Sequence, residues 1–113
     1  MKTGELDGIV LDWAVAKCEG IEEKNWYWND DRLCFSDLWE IDFEPSINWS
    51  QAGLIIERER ISVWARGNEW AAETFIPNQE GREETGATPL VAAMRCYVAS
   101  KLGNEVEIPT ELF

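Results

Sequence analysis

Apolar positions in residues 88–103 recur at helical spacing. Leu90, Met94, Val98 and Leu102 form a bulky stripe, and Ala92, Cys96, Ala99 and Gly103 form a second ridge of small residues. Thr88 is placed to cap this helix, Pro89 to open its first turn and Gly103 to end it in a left-handed turn. A helix with one bulky and one small face is packed on both sides, which puts it at the centre of the fold. A second helix is predicted after Asp7, along GIVLDWAVAKCEG to Gly20. Its large residues are Ile9, Val10 and Trp13, with Ala14 and Cys18 as a smaller track. Each helix carries a lone mid-helix charge, Asp12 in the first and Arg95 in the second. Three placements stay open for them: a buried pair that fixes helix register, an Arg95 that faces a ligand, or two solvated charges.

Between the helices the period shortens. Residues 26–28 and 32–35 read as two short strands around Asn29, Asp30 and Asp31, which favour turns. Asp37, Glu40, Asp42 and Glu44 then alternate with Leu38, Trp39, Ile41 and Phe43, as in a half-buried edge strand or an exposed recognition segment. Residues 45–49 look like a turn, with Ser46 able to cap a short helical turn, and Gly53 is expected to break the chain before its clearest β segment. Residues 59–66 alternate, Gly67-Asn68 suits a two-residue hairpin turn, and residues 69–75 return. This register sets Arg66 opposite Glu69, Trp64 opposite Ala71 and Ser62 opposite Glu73. Ile61, Val63, Ala65, Trp70, Ala72 and Thr74 then share the core face. The outer face would carry Arg58, Arg60, Ser62, Trp64 and Arg66 if the strand runs back without interruption. Residues 77–85 read as a polar, mobile loop, residues 105–108 as a short last strand, and Leu112 and Phe113 as a docking tail. The elements predict a single α+β domain, with two main helices packed on one side of a small antiparallel sheet.

Composition narrows the chemistry. The 113 residues carry 22 acids and 10 bases, a net charge of −12, so direct nucleic-acid binding through phosphate neutralisation is not expected. A basic protein partner is compatible with that charge, and so is a purely solubilising role. No apolar run reaches the ~20 residues of a membrane span. The three cysteines, Cys18, Cys34 and Cys96, lack metal-site spacing and are expected to be reduced. With no histidine, the commonest general base and zinc ligand are missing. No phosphate-binding loop, nucleophile elbow or metal motif occurs, and no metal or cofactor is implied. The chain therefore reads as a non-enzymatic protein. Seven tryptophans are enough that one or two should reach solvent.

Three stretches resemble the NinX-like proteins of lambdoid phages, a bacteriophage and prophage family of unknown function. They are LDWAVAKCEG from Leu11, the PSxxW segment from Pro45 followed by GLIIERE, and TPLVAAMRCYVASKLG from Thr88. The resemblance implies a phage origin, an accessory role in the cytoplasm of a bacterial host, and no catalytic residues. Two binding roles then compete. In the first, a protein able to form a homo-oligomer captures a small anionic ligand, such as a nucleotide signal of host defence. Arg58, Arg60, Arg66 and Arg95 would meet phosphates, Trp49 or Trp64 would stack on a base, and the helix start at Thr88 would hold an anion. In the second, Asp30, Asp31, Asp37, Glu40, Asp42 and Glu44 mimic DNA and bind a host nucleic-acid-handling protein.

Overall fold

The computed structural model of the protein describes residues 1–21, 26–29, 32–35, 42–75 and 81–109. A 3-10 turn (Thr3–Glu5) leads into α1 (Gly8–Cys18) and a hairpin of β1 (Trp26–Asn29) and β2 (Arg32–Phe35). Then come α2 (Trp49–Glu59), β3 (Ile61–Arg66), β4 (Glu69–Thr74), β5 (Glu83–Gly86) and α3 (Pro89–Leu102). The architecture is α+β, as the sequence predicts, with a third helix that it does not.

The centre is α3. Leu90 through Met94 and Cys96 through Ala99 are all buried, so between its first residue and Ala99 the helix shows solvent little more than half-buried Arg95. One side packs on the antiparallel sheet β3-β4-β5, the other on α1, and α2 flanks it. The small ridge faces the sheet: Cys96 Sγ donates to the Arg82 carbonyl at 2.8 Å, and Arg82 Nε to the Ala99 carbonyl at 3.4 Å. Gly86 permits the closest approach. A Cβ there would sit 2.7 Å from the Ala92 nitrogen and 2.8 Å from Val91 Cγ1. The helix α1, buried from Leu11 to Ala16, lies between α3 and β2.

The hairpin register of β3 and β4 is the predicted one, with Arg66 opposite Glu69 and Trp64 opposite Ala71. Gly67 has φ +59° while Asn68 keeps a negative φ, the pattern of a type II′ turn. Ile61 and Ala72 reach the core, with Val63 and Trp70 packed against it.

Three segments differ from expectation. Gly53 does not break the chain but lies inside α2, where Ala52 and Ile55 are buried and Ile56 is half-buried. An amphipathic face and the Asn48 cap, whose Oδ1 accepts from the Gln51 amide at 3.2 Å, outweigh the ~1 kcal/mol that a mid-helix glycine costs. Within the polar stretch 77–85, residues from Glu83 form β5, which pairs with β4 through Ala71–Thr85 and Trp70–Gly86. Residues 105–108 form no strand. They meet the N-terminus through one bridge, Lys2 to Glu105, and a backbone pair between Met1 and Val106. The tail from Thr110 onwards lies outside the described residues.

Candidate functional site

Three helices begin at one cleft. Asp7 caps α1, its Oδ1 accepting from the Gly8 amide at 2.9 Å. Asn48 caps α2, and Thr88 caps α3 by accepting from the Val91 amide through Oγ1 at 3.2 Å. Between these starts lies a cleft of about 470 Å³, lined by Asp7, Ile47, Trp49, Thr88, Leu90 and Arg95 among others. Each helix start carries about half a positive charge from its aligned peptide dipoles. The capping side chains leave first-turn amides over, among them Leu90 N–H, which has no intrahelical acceptor.

The Arg95 guanidinium is fixed by the backbone. Its Nε donates to the Leu6 carbonyl at 2.7 Å and its Nη1 to the Thr85 carbonyl at 2.9 Å. It therefore does not pair with Asp12. That carboxylate is buried on α1 and accepts from the Ser46 amide at 2.8 Å, holding the turn that carries Ile47 and Trp49 into the cleft. Burial pushes Asp12 up to about 6, against the opposing hydrogen bonds from the Ser46 amide and hydroxyl, with Glu44 and Asp7 adding to the rise. Trp49 is 60% exposed and Ile47 71%, so the outer wall is apolar and open to solvent.

Of the residues proposed from sequence for ligand binding, Trp49, Thr88 and Arg95 meet here. The other four do not. Because α2 precedes β3, Arg58 lies on a helix, and Arg60 is its left-handed C-cap at φ 54°. The strand parity that aligned them with Arg66 does not exist. Arg58 instead grips both Glu19 oxygens, at 3.2 and 2.6 Å, and also reaches the Tyr97 hydroxyl and Glu59. Lys101 closes the network on Glu59 at 3.0 Å. Burial would raise the Glu59 carboxyl, but the bonds from Lys101 and Arg58 bring it below its ordinary value. Burial, and then donation to Glu19, raises the Tyr97 phenol. This cluster ties the three helices together. Arg66 pairs with Glu83 at 2.6 Å and lies 5.6 Å over the Trp64 ring, so the charge of that stripe is answered within the sheet.

Among the acids of the alternative role, Asp30, Asp31, Asp37 and Glu40 lie outside the described residues. Asp42 and Glu44 are half-buried, and their backbones are clamped by the Gln51 side chain. Cys18 and Cys96 are free thiols, each pushed up to about 12 chiefly by burial, so neither is a thiolate at neutral pH. No group of metal-ligating side chains occurs among the described residues, and no helix among them is long and apolar enough to cross a membrane. Sequence reasoning missed Asp7 and Leu90 as cleft residues, because their meeting depends on α2 bringing the 45–49 turn to the start of α3.

The family described as Bacteriophage P22, NinX matches residues 2–101. The chain belongs to the NinX family. That span contains all three helices and the cleft, except for the last residue of α3. No curated protein matches the chain. Membership of the NinX family makes this a phage-type protein.

Proposed function

We propose that the protein is a non-enzymatic phage accessory protein that captures a small anionic ligand of nucleotide size in the cytoplasm of the bacterial host. One observation carries the reading. Three helix starts, an immobilised arginine and a solvent-facing tryptophan line the same cleft. Helix starts attract anions, and the fixed guanidinium adds charge without an ordering cost. The indole of Trp49 offers a stacking surface for a base. The volume, about 470 Å³, lies within the range of small-ligand sites. A nucleotide signal of host defence fits this description, and capturing one would serve a phage by lowering its free concentration.

Native mass spectrometry of the protein purified gently from a bacterial host tests the reading. The expected result is a discrete species, monomer or homo-oligomer, carrying an added mass that is lost on collisional activation and absent from Arg95→Ala. A bare species from cells in which candidate nucleotides are abundant contradicts it, and would turn attention to the acidic surface and a basic host protein.

A further inference from the structure

Strand β3 is an outer strand of its sheet, with β4 on one side and no strand on the other among the described residues. The ladder shows which of its backbone groups are left over. The Thr74 amide donates to the Arg82 carbonyl at 3.0 Å, on the β5 side of β4. Peptide groups alternate in direction along an antiparallel strand. Glu69, Ala71 and Glu73 therefore bond towards β3, and Arg66, Trp64 and Ser62 towards β4. The two-residue turn at Gly67-Asn68 requires the same phase, because it closes on a hydrogen-bonded Arg66–Glu69 pair. Val63 and Ala65 thus turn their N–H and C=O groups away from β4, and neither makes another hydrogen bond among the described residues.

Proteins that stay apart blunt such edges with Lys, Pro, a bulge or an inward-pointing charge. None of these interrupts Ile61–Arg66, which pairs with β4 without a bulge along its whole length. Its single charge, Arg66, is drawn back over the Trp64 ring and onto Glu83. Ala65 is exposed although it shares a face with Val63 and Ala72, which pack on the core. Apolar surface therefore continues up to the open backbone edge.

The strand best fits a second copy of itself. On a chain of net charge −12, residues 61–66 contain no acid, so two copies can meet here without setting carboxylate against carboxylate. Antiparallel pairing that joins Val63 of one copy to Ala65 of the other sets the two Trp64 side chains opposite each other at the two-fold axis. They form the closer, non-hydrogen-bonded type of pair. Arg66 then lies opposite Ser62, whose neighbour on β4 is Glu73, so each arginine approaches an acid of the other copy. Sliding by two residues, to pair Val63 with Val63, would bring Arg66 against Arg60 and draw the left-handed end of α2 into the ladder. We infer that the protein forms a two-fold dimer through β3, which joins the sheets of two copies into one, ordered β5-β4-β3-β3-β4-β5. No residue of β3 lines the cleft, so the dimer stands or falls independently of the anion site.

Sedimentation equilibrium of the full chain between about 10 and 500 µM, the range suited to an interface of small area, tests this. The mass should rise from that of one chain towards that of two. Ala65→Pro removes an N–H that β4 does not use, so the variant should unfold at the parental midpoint yet stay a monomer. The register is read from non-reducing gels after mild oxidation with diamide. Trp64→Cys should cross-link into a covalent dimer several-fold faster than Ser62→Cys or the parent, because only position 64 faces its own copy within disulfide reach. A single-chain mass across the range, a dimer that persists in Ala65→Pro, or equal cross-linking of the two cysteine variants overturns the inference. Should Ala65→Pro fail to fold, the cross-linking contrast decides alone.

Discussion

Asp12 and Ser46, 34 residues apart in the chain, are joined in the core: the Ser46 amide donates to Asp12 Oδ1 at 2.8 Å. The bond fixes the turn that forms one wall of the cleft to the helix that supplies Asp7. Asp12 is 6% exposed and rises from an ordinary 3.8 to about 6, chiefly through burial. Its native state therefore holds a proton that the unfolded chain has given up. The resulting stabilisation is complete below pH ~3.8 and is lost as pH rises through ~6. Asp12→Asn keeps an acceptor for Ser46 and removes the titration. Urea unfolding should show the variant gaining on the parent between pH 4 and pH 8, by at most about 3 kcal/mol. A stability difference that is flat with pH sinks this account of Asp12.

Arg58 is the opposite case, a charge prominent in the sequence that serves the structure. It joins Glu19, Glu59 and Tyr97 across three helices, but its side chain is 49% exposed. Arg58→Ala should cost about 1 kcal/mol in denaturant unfolding, the scale of exposed ion pairs acting in a network. It should leave ligand retention in native mass spectrometry at the parental level. Loss of retained ligand with no change in stability would return Arg58 to the binding surface.

Trp49 should behave the other way round. At 60% exposure its removal takes little from the core, so Trp49→Ala should change stability by less than about 0.5 kcal/mol. Retained ligand should fall sharply. Thr88→Ala removes a helix cap and should cost both ligand and about 1 kcal/mol. Melting curves and bound mass from the same preparations separate the two effects.

Gly53 is a place where the chain is less stable than it need be. It lies mid-helix with nothing within 4 Å of a Cβ built on it, and its φ is negative. Gly53→Ala should stabilise the protein by about 0.5–1 kcal/mol through helix propensity and reduced unfolded-state freedom. A lower unfolding midpoint would mean that α2 needs the glycine for a reason not visible in its packing.

The elements that the sequence made legible carry their own boundary signals. Thr88, Pro89 and Gly103 bracket α3, Asp7 opens α1, and Gly67-Asn68 closes a hairpin whose alternation fixes the register. The helix α2 was hidden because Gly53 reads locally as a breaker, while the burial of Ala52 and Ile55 is decided by tertiary contacts. The strand β5 was hidden because Glu83-Glu84-Thr85-Gly86 has no apolar alternation. It is a strand because β4 supplies its hydrogen bonds and Gly86 lets it lie against α3. The site followed from these two misses. Reading α2 as extended chain joined Arg58, Arg60 and Arg66 in one stripe, and the true helix start carries Trp49 to Thr88 and Arg95 instead. The Asp12–Arg95 pair failed because each group found a nearer backbone partner, Ser46 for one, Leu6 and Thr85 for the other.

An anion site at the start of α3 is tested most directly by a ¹H–¹⁵N correlation titration of the labelled protein with inorganic phosphate. Saturable shifts should concentrate on the backbone amides of Thr88, Leu90 and Val91, with the Trp49 indole following. Shifts gathered on Arg58, Arg60 and Arg66, or no saturable shift at all, would contradict an anion site at the start of α3.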